Sequence, residues 1–311
     1  NRVEYQPGAK PEGVDVQEEV VEVPLTPAQS RIQEVIRKRI PTSFLWKLDR
    51  EFPLSRDESK RLNSFLVGLR QSSLSPRTFQ KTPDNLAAFE QSGKLQEAMR
   101  RLKTTLGSDD RRKALIYSNF IDAGLSPYAA ALDREKIPYG MFHGGLSAKQ
   151  RKTNLDGYNS GSLRALLIGP AGAEGISTKG TSLIQLLDPH WHQTRSDQAT
   201  GRGLRFDSHQ DLPEELKNVQ IQRYLSTSKE PGMLRRLFGA RRERTGDEIL
   251  TTLAARKERL NEEFRQLLRE SGAAKQAEFD SEDRSKQGWL RRYFSTPVSY
   301  THLTLPTNRE V

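Results

Sequence analysis

The sequence contains no cysteine, which excludes disulfide bridges and cysteine-ligated metal sites from its 311 residues. It has no apolar run long enough to span a bilayer, and its start lacks the pattern of a secretory signal peptide. Its histidines and carboxylates show no metal-ligand spacing, since His190 and His192 lie only two positions apart. We therefore predict no metal site, no membrane partner and no secretion.

The chain is basic, with 50 Lys and Arg against 40 Asp and Glu and a formal net charge of +10. This balance favours a polyanionic partner, either nucleic acid or an anionic membrane surface. Charge alone does not separate these partners from a simple effect on solubility.

Short apolar runs alternate with helical stretches between Lys113 and Leu225. The runs occupy residues 114–117, 139–142, 165–168, 183–187 and 219–225. Such alternation predicts an α/β fold, a doubly wound parallel sheet with helices on both faces.

Both flanks of this region are predicted to be helical. Upstream, a strand over 16–23 precedes a helix that starts at Thr26-Pro27, and amphipathic pieces follow up to residue 106. Downstream, the apolar stripe over 247–270 predicts a long packing helix. The arginines of 235–244 either bind nucleic acid or form a solvated loop.

The most informative motif is Q-x-x-G-R-x-x-R, formed by Gln198, Gly201, Arg202 and Arg205 after a predicted strand. Arginines three residues apart share one face of a helix, and their planar forks of donors suit phosphate oxygens. A solvated surface helix would explain an isolated R-x-x-R, but the preceding glutamine, glycine and strand favour phosphate chemistry.

Two glycine-containing segments are weaker signals. Gly172 and Gly175 would let a backbone approach a ligand closely, and the hydroxyls and charge of 177–179 suit a phosphate. A tight strand-to-helix turn explains the same residues without a ligand. Likewise, His143 before two glycines is by itself typical of an ordinary turn.

Several segments together resemble superfamily-two helicases. In chain order they are Pro24-Leu-Thr-Pro-Ala-Gln29, Gly93-Lys-Leu-Gln96, Ala114–Phe120, Phe142-His-Gly-Gly145, Ala171–Thr178, Asp188-Pro-His-Trp191 and the arginine motif. The segment Ala114–Phe120 is similar to the start of the second lobe in Swi/Snf-type translocases, with Asn119 in place of a glutamine. The residue patterns of Ala171–Ser177 and Ser208–Pro213 resemble those in helicases of large DNA viruses and of their phage and bacterial relatives.

The resemblance implies a RecA-like C-terminal motor lobe and assigns its residues. Arg202 and Arg205 would be the catalytic arginines, and Gln198, Glu174, Gly175 and Gly201 would contact ATP. Nucleic acid, with DNA favoured and no sequence preference, would contact Asn119, His143, Gly144, Gly145, Gly172, Ser177, Thr178 and Lys179. The family also implies an intracellular or virion location, which is cytoplasmic for a bacterial or phage protein.

The sequence has neither a G-x-x-x-x-G-K-[S/T] loop nor an acidic magnesium-binding run, both of which the family carries in its first lobe. We therefore expect no ATP hydrolysis by this chain alone. ATP and Mg²⁺ would bind in an intact parent protein, with the Mg²⁺ ligands on the missing lobe. The alternative is a non-catalytic nucleic-acid-binding module on a helicase-like scaffold.

Four parts are predicted along the chain. Residues 1–92 would be the end of the first lobe and a linker with a helical insertion, and 93–228 the C-terminal lobe. Residues 229–296 would form the basic loop and helical extension. Residues 297–311 resemble a translated sequencing adapter, and we expect them to be non-native.

Overall fold

The computed structural model describes residues 14–49, 55–170, 176–189, 213–228 and 244–256, with scattered positions between 259 and 267. The chain divides into two compact units, Asn1–Ala255 and Arg256–Val311. The first unit contains the sheet and every residue discussed below.

Six strands form one sheet. They are β1 (Asp15–Pro24), β2 (Lys113–Tyr117), β3 (Tyr139–Phe142), β4 (Ala165–Ile168), β5 (Thr181–Leu186) and β6 (Asn218–Thr227). Their order is β1-β6-β5-β2-β4-β3, and every neighbouring pair is parallel. The predicted parallel α/β sheet is confirmed. The bounds of each of the five predicted apolar runs agree with those of a strand to within two residues.

Helices cover both faces of this sheet. The helices are α1 (Pro27–Arg37), α2 (Thr42–Asp49), α3 (Arg56–Leu74), α4 (Asn85–Glu90), α5 (Gly93–Ser108), α6 (Ser126–Arg134), α7 (Ala148–Ser160) and α8 (246–256). A π-helical turn, Ile121–Leu125, precedes α6. Thr26 caps α1 in a capping box, and Pro27 follows it as predicted.

Alternate residues of the strands divide between two cores, because successive side chains in a strand point to opposite faces. In β2, Ala114 and Ile116 join a core with α5 and α6. Leu115 and Tyr117 join a second core, which contains Tyr158 of α7. The central strands are therefore apolar on both faces, as expected for a covered parallel sheet.

Strand β1 belongs to this same sheet. It runs parallel to β6 from Asp15–Asn218 to Pro24–Thr227. The sequence analysis assigned this strand to the end of the first lobe and a linker. The structure pairs it with β6 in the same sheet as β2–β5.

The helical flanks pack against each other in a third core. Ile40, Phe44, Leu66 and Leu69 from the region of α1–α3 surround Ile249 of α8. The start of the apolar stripe predicted over 247–270 therefore packs into this core. Gly246 allows this approach, since a Cβ there would lie 2.6 Å from Leu69 Cβ.

Candidate functional site

The carboxyl ends of β2–β5 meet at one edge of the sheet, where parallel α/β folds usually bind ligands. Leu187 N–H donates to Tyr117 O at 2.9 Å and Ser118 N–H to Ile168 O at 3.2 Å. Gly169 N–H donates to Phe142 O at 3.0 Å. These bonds hold the turns after four strands side by side, so that edge has a fixed backbone.

Asp188, just after β5, joins two of these turns. Its Oδ1 accepts hydrogen bonds from Ser118 Oγ at 2.7 Å and from Asn119 N–H at 2.9 Å. Its Oδ2 accepts from Asn119 Nδ2 at 2.7 Å. The Asn119 Oδ1 accepts from Tyr117 Oη at 3.1 Å. Hydrogen bonds to Asp188 and Tyr117 therefore fix both the Nδ2 and the Oδ1 of Asn119.

Arg70 of α3 supplies the charge that balances Asp188. Its Nη2 lies 3.0 Å from Asp188 Oδ2 and 2.7 Å from Pro189 O. The guanidinium carbon also lies 4.9 Å from the centre of the Phe120 ring. The two side chains are only 7% and 0% exposed, so this is a buried ion pair. Helix α3, which precedes the lobe predicted from residue 93, thus contributes a residue to the carboxyl edge of the sheet.

The turn after β3 follows the predicted His-Gly-Gly pattern. His143 Nδ1 accepts from Gly145 N–H at 3.2 Å, and His143 O accepts from Leu146 N–H at 3.2 Å. Gly144 and Gly145 are exposed, and Ser147 then caps α7 in a capping box. The structure therefore brings Asn119 and His143–Gly145 to the same edge, with two exposed glycines beside a helix start.

Ser177, Thr178 and Lys179 lie elsewhere. Asn159, at the end of α7, donates from Nδ2 to Ser177 O at 3.1 Å and accepts at Oδ1 from Lys179 N–H at 2.9 Å. These residues precede β5 and hence occupy the amino-terminal edge of the sheet. Thr178 is fully buried, while Ser177 and Lys179 are exposed. The structure does not group them with Asn119 and His143.

Lys113 marks this opposite edge. Its Nζ donates at 2.8 Å to Tyr158 O, in the last turn of α7, and lies 4.8 Å from the centre of the Tyr158 ring. Burial lowers the pKa of Lys113 to about 8. The helix end and the aromatic face both favour a cation here, but they do not offset its desolvation.

The other predicted site residues lie outside the described ranges. They are Gly172, Glu174, Gly175, Gln198, Gly201, Arg202 and Arg205. Within the described ranges, no cluster of three or more His, Cys, Asp or Glu side chains could hold a metal ion. In the same part of the chain, no helix is long and apolar enough to cross a membrane.

Sequence reasoning overlooked two residues of the carboxyl edge. Asp188 was noted only as part of an Asp-Pro element, although its position after a buried strand was a usable signal. Arg70 gave no signal, because a single arginine on an amphipathic helix is usually a solvated residue.

Comparison with known proteins agrees with this architecture. Residues 97–207 match the family described as helicase conserved C-terminal domain. This stretch contains β2–β5 and the turns that form the carboxyl edge. Over this stretch the chain is similar to helicase C-terminal domains.

Viral proteins are among the relatives of this chain. An Acanthamoeba polyphaga mimivirus protein named as an ATP-dependent RNA helicase is 33% identical over 154 residues, 50% of this chain and 33% of that protein. A termination factor NPH-I homolog of African swine fever virus is 28% identical over 163 residues, 50% of this chain and 23% of that protein. The chain thus matches a third or less of the length of these two relatives.

Solved structures share the fold. The C-terminal part of the Fun30 ATPase domain superposes with a TM-score of 0.55 at 14% identity, covering 78% of this chain and 99% of that one. The Sulfolobus solfataricus SWI2/SNF2 ATPase core in complex with dsDNA gives 0.53 at 20% identity, covering 81% and 49%. The predicted RecA-like fold of a Swi/Snf-type C-terminal lobe is confirmed.

Proposed function

We propose that this chain is the C-terminal motor lobe of an ATP-dependent nucleic-acid translocase and binds the phosphate backbone at the carboxyl edge of its sheet. The observation that carries this proposal is the meeting of Asn119 and His143–Gly145 at that edge. The exposed glycines Gly144 and Gly145 lie beside the start of α7, where backbone N–H groups are common phosphate ligands. Gly145 N–H donates to His143 Nδ1, so Gly144 N–H is the group proposed for the phosphate. The Swi/Snf core that shares the fold is described in complex with dsDNA, which favours DNA.

The arginine motif comes after β5 in the sequence. β5 ends at this edge, and Gln198, Arg202 and Arg205 follow Pro189 along the chain. In an intact parent, these arginines would neutralise charge on the γ-phosphate of an ATP held by another lobe, with Mg²⁺. Gln198, Gly201, Glu174 and Gly175 remain proposed ATP contacts, and Gly172 a proposed backbone contact. Ser177, Thr178 and Lys179 are not part of the contact proposed here.

Binding is tested on the chain itself with fluorescently labelled DNA of mixed and of uniform sequence. We expect similar affinities for all sequences and a dissociation constant that rises steeply with salt, because phosphate contacts release counterions. Gly145→Glu places a negative charge at the exposed turn, and we expect it to weaken binding roughly tenfold, or about 1.4 kcal/mol. Gly107→Glu is the matched control, since Gly107 is also exposed and a Cβ there meets nothing within 4 Å.

The two variants separate a local contact from a general effect of charge. Equal weakening by both would place the binding surface elsewhere. No salt-dependent binding by the unaltered chain would contradict the proposal altogether.

Catalysis is tested in a polypeptide that also contains an ATP-binding lobe. We expect Arg202→Ala to reduce DNA-stimulated ATP hydrolysis on the order of 10³-fold or more while DNA binding persists. Arg111→Ala serves as the control, since this exposed arginine precedes β2 at the opposite edge of the sheet. DNA binding without any hydrolysis in the unaltered polypeptide would instead support a non-catalytic binding module.

A further inference from the structure

Asn119 is oriented by a carboxylate rather than by solvent. One hydrogen of its amide is donated to Asp188 Oδ2 at 2.7 Å, and its carbonyl oxygen is bonded to Tyr117 Oη at 3.1 Å. An amide NH₂ has two hydrogens, so a second acceptor such as a phosphate oxygen can be bound at the same time. The direction of that second hydrogen is fixed by the bond to Asp188.

A bare carboxylate would make this edge a poor phosphate site, because like charges repel and burial weakens screening. Arg70 removes the problem, since its Nη2 lies 3.0 Å from Asp188 Oδ2 and both side chains are buried. Arg70 also bonds to Pro189 O at 2.7 Å and lies over Phe120. It is therefore held in place independently of Asp188.

The helix that carries Arg70 is fixed to the lobe near its carboxyl end. Gln29 of α1, itself buried, donates from Nε2 to Ser72 O at 2.9 Å and Ser73 O at 3.0 Å. Ser92, which caps α5, donates to Leu74 O. These bonds satisfy carbonyls that a helix end would otherwise leave unpaired. Arg70 thus projects from a rigid support.

We propose that Arg70, acting through Asp188, is a positioning residue for nucleic-acid binding: it neutralises the carboxylate that orients Asn119 towards a backbone phosphate. Helix α3 then supports the binding site and is not merely a spacer before the lobe. This inference rests on the proposed function and adds a residue that none of the sequence motifs contains.

The test measures binding of a fluorescein-labelled dT20 oligonucleotide by the full chain over a range of salt concentrations. We expect Arg70→Met to raise the dissociation constant roughly tenfold and to lower the slope of its logarithm against log salt by up to about 0.7, the value for each neutralised phosphate of a single strand, because the site loses one positive charge. Arg70→Lys should keep most of the affinity, because its ammonium still neutralises the carboxylate while Asp188 still accepts from Asn119. A purely structural role would depend on the fork of donors that also holds Pro189 O, which one ammonium does not reproduce, and would therefore lose affinity in this variant.

Lys94→Met is the matched control, since it breaks another buried ion pair, Lys94–Asp247, with exposures of 1% and 0%. We expect it to change neither the slope nor the affinity per folded molecule. Should Arg70→Met fail to fold, Arg70→Gln tests the same step with the same expected loss, because its amide can still donate to Pro189 O but carries no charge.

Three results would overturn the inference: an unchanged slope and affinity in Arg70→Met, the same loss in Lys94→Met, or a loss in Arg70→Lys as large as in Arg70→Met. If Gly145→Glu weakens binding while Arg70→Met does not, only this inference fails and the proposed function stands. If the unaltered chain does not bind dT20 or duplex DNA, both fail.

Discussion

The buried pair Lys94–Asp247 should be a major determinant of stability. Lys94 is the second residue of α5 and Asp247 the second of α8, so the pair joins the lobe to its C-terminal helix. Asp247 Oδ2 accepts from Lys94 Nζ and from Ser226 N–H at 2.9 Å, whereas its buried Oδ1 has no hydrogen-bond partner among the described residues. Lys94→Met would leave a fully buried carboxylate with one backbone donor.

Removing one partner of a buried ion pair costs about 3–5 kcal/mol, against a total stability of about 5–15 kcal/mol for a typical domain. At about 2–4 °C per kcal/mol for a unit of this size, we expect Lys94→Met to lower the Tm by roughly 6–20 °C. Asp247→Asn alone should be similarly destabilising, because it leaves the ammonium unpaired. The double variant should be more stable than the sum of the two single effects predicts.

Urea and thermal unfolding followed by circular dichroism measure these differences. Lys152→Met is the matched control, since Lys152 and Asp156 form a pair at 2.7 Å with 78% and 61% exposure, and such pairs contribute about 0–1 kcal/mol. A loss below about 1 kcal/mol in Lys94→Met, or strictly additive effects in the double variant, would refute the reasoning.

Two further changes test the packing and the electrostatics. Gly246→Ala should destabilise by about 1–3 kcal/mol in urea unfolding, because its Cβ would meet Leu69 C at 2.8 Å and Arg70 N at 3.0 Å, whereas Gly107→Ala, in open space, should not. For Lys113, whose pKa falls from 10.5 to about 8, the unfolded chain binds more protons between these values, so the free energy of unfolding should rise with pH across that interval. Lys113→Met should flatten this rise, and an unchanged pH profile would contradict the assignment.

The sheet was predictable because its strands carry two local signals, a short apolar run and a helical stretch on either side of it. The runs at 114–117 and 165–168 are short, apolar and separated by helical stretches, which is the pattern of a parallel sheet covered on both faces. The position of β1 was less accessible. Its alternating pattern over 16–23 predicts a strand, but pairing with β6 spans about two hundred residues, and no local pattern encodes such a partner.

The residues of the candidate site also differ in whether local sequence or tertiary packing reveals them. His143–Gly145 could be predicted because a turn's residue types are dictated by its own backbone. Ser177–Lys179 were grouped with them by motif order alone, and Asn159 instead holds the backbone of that segment at the other edge of the sheet. Arg70 shows the converse case, since it lies 118 positions from Asp188 and became visible only through a buried contact. Residues proposed to contact a ligand can thus be chosen from motifs, whereas those that would orient the contact, as proposed for Arg70, require the packed structure.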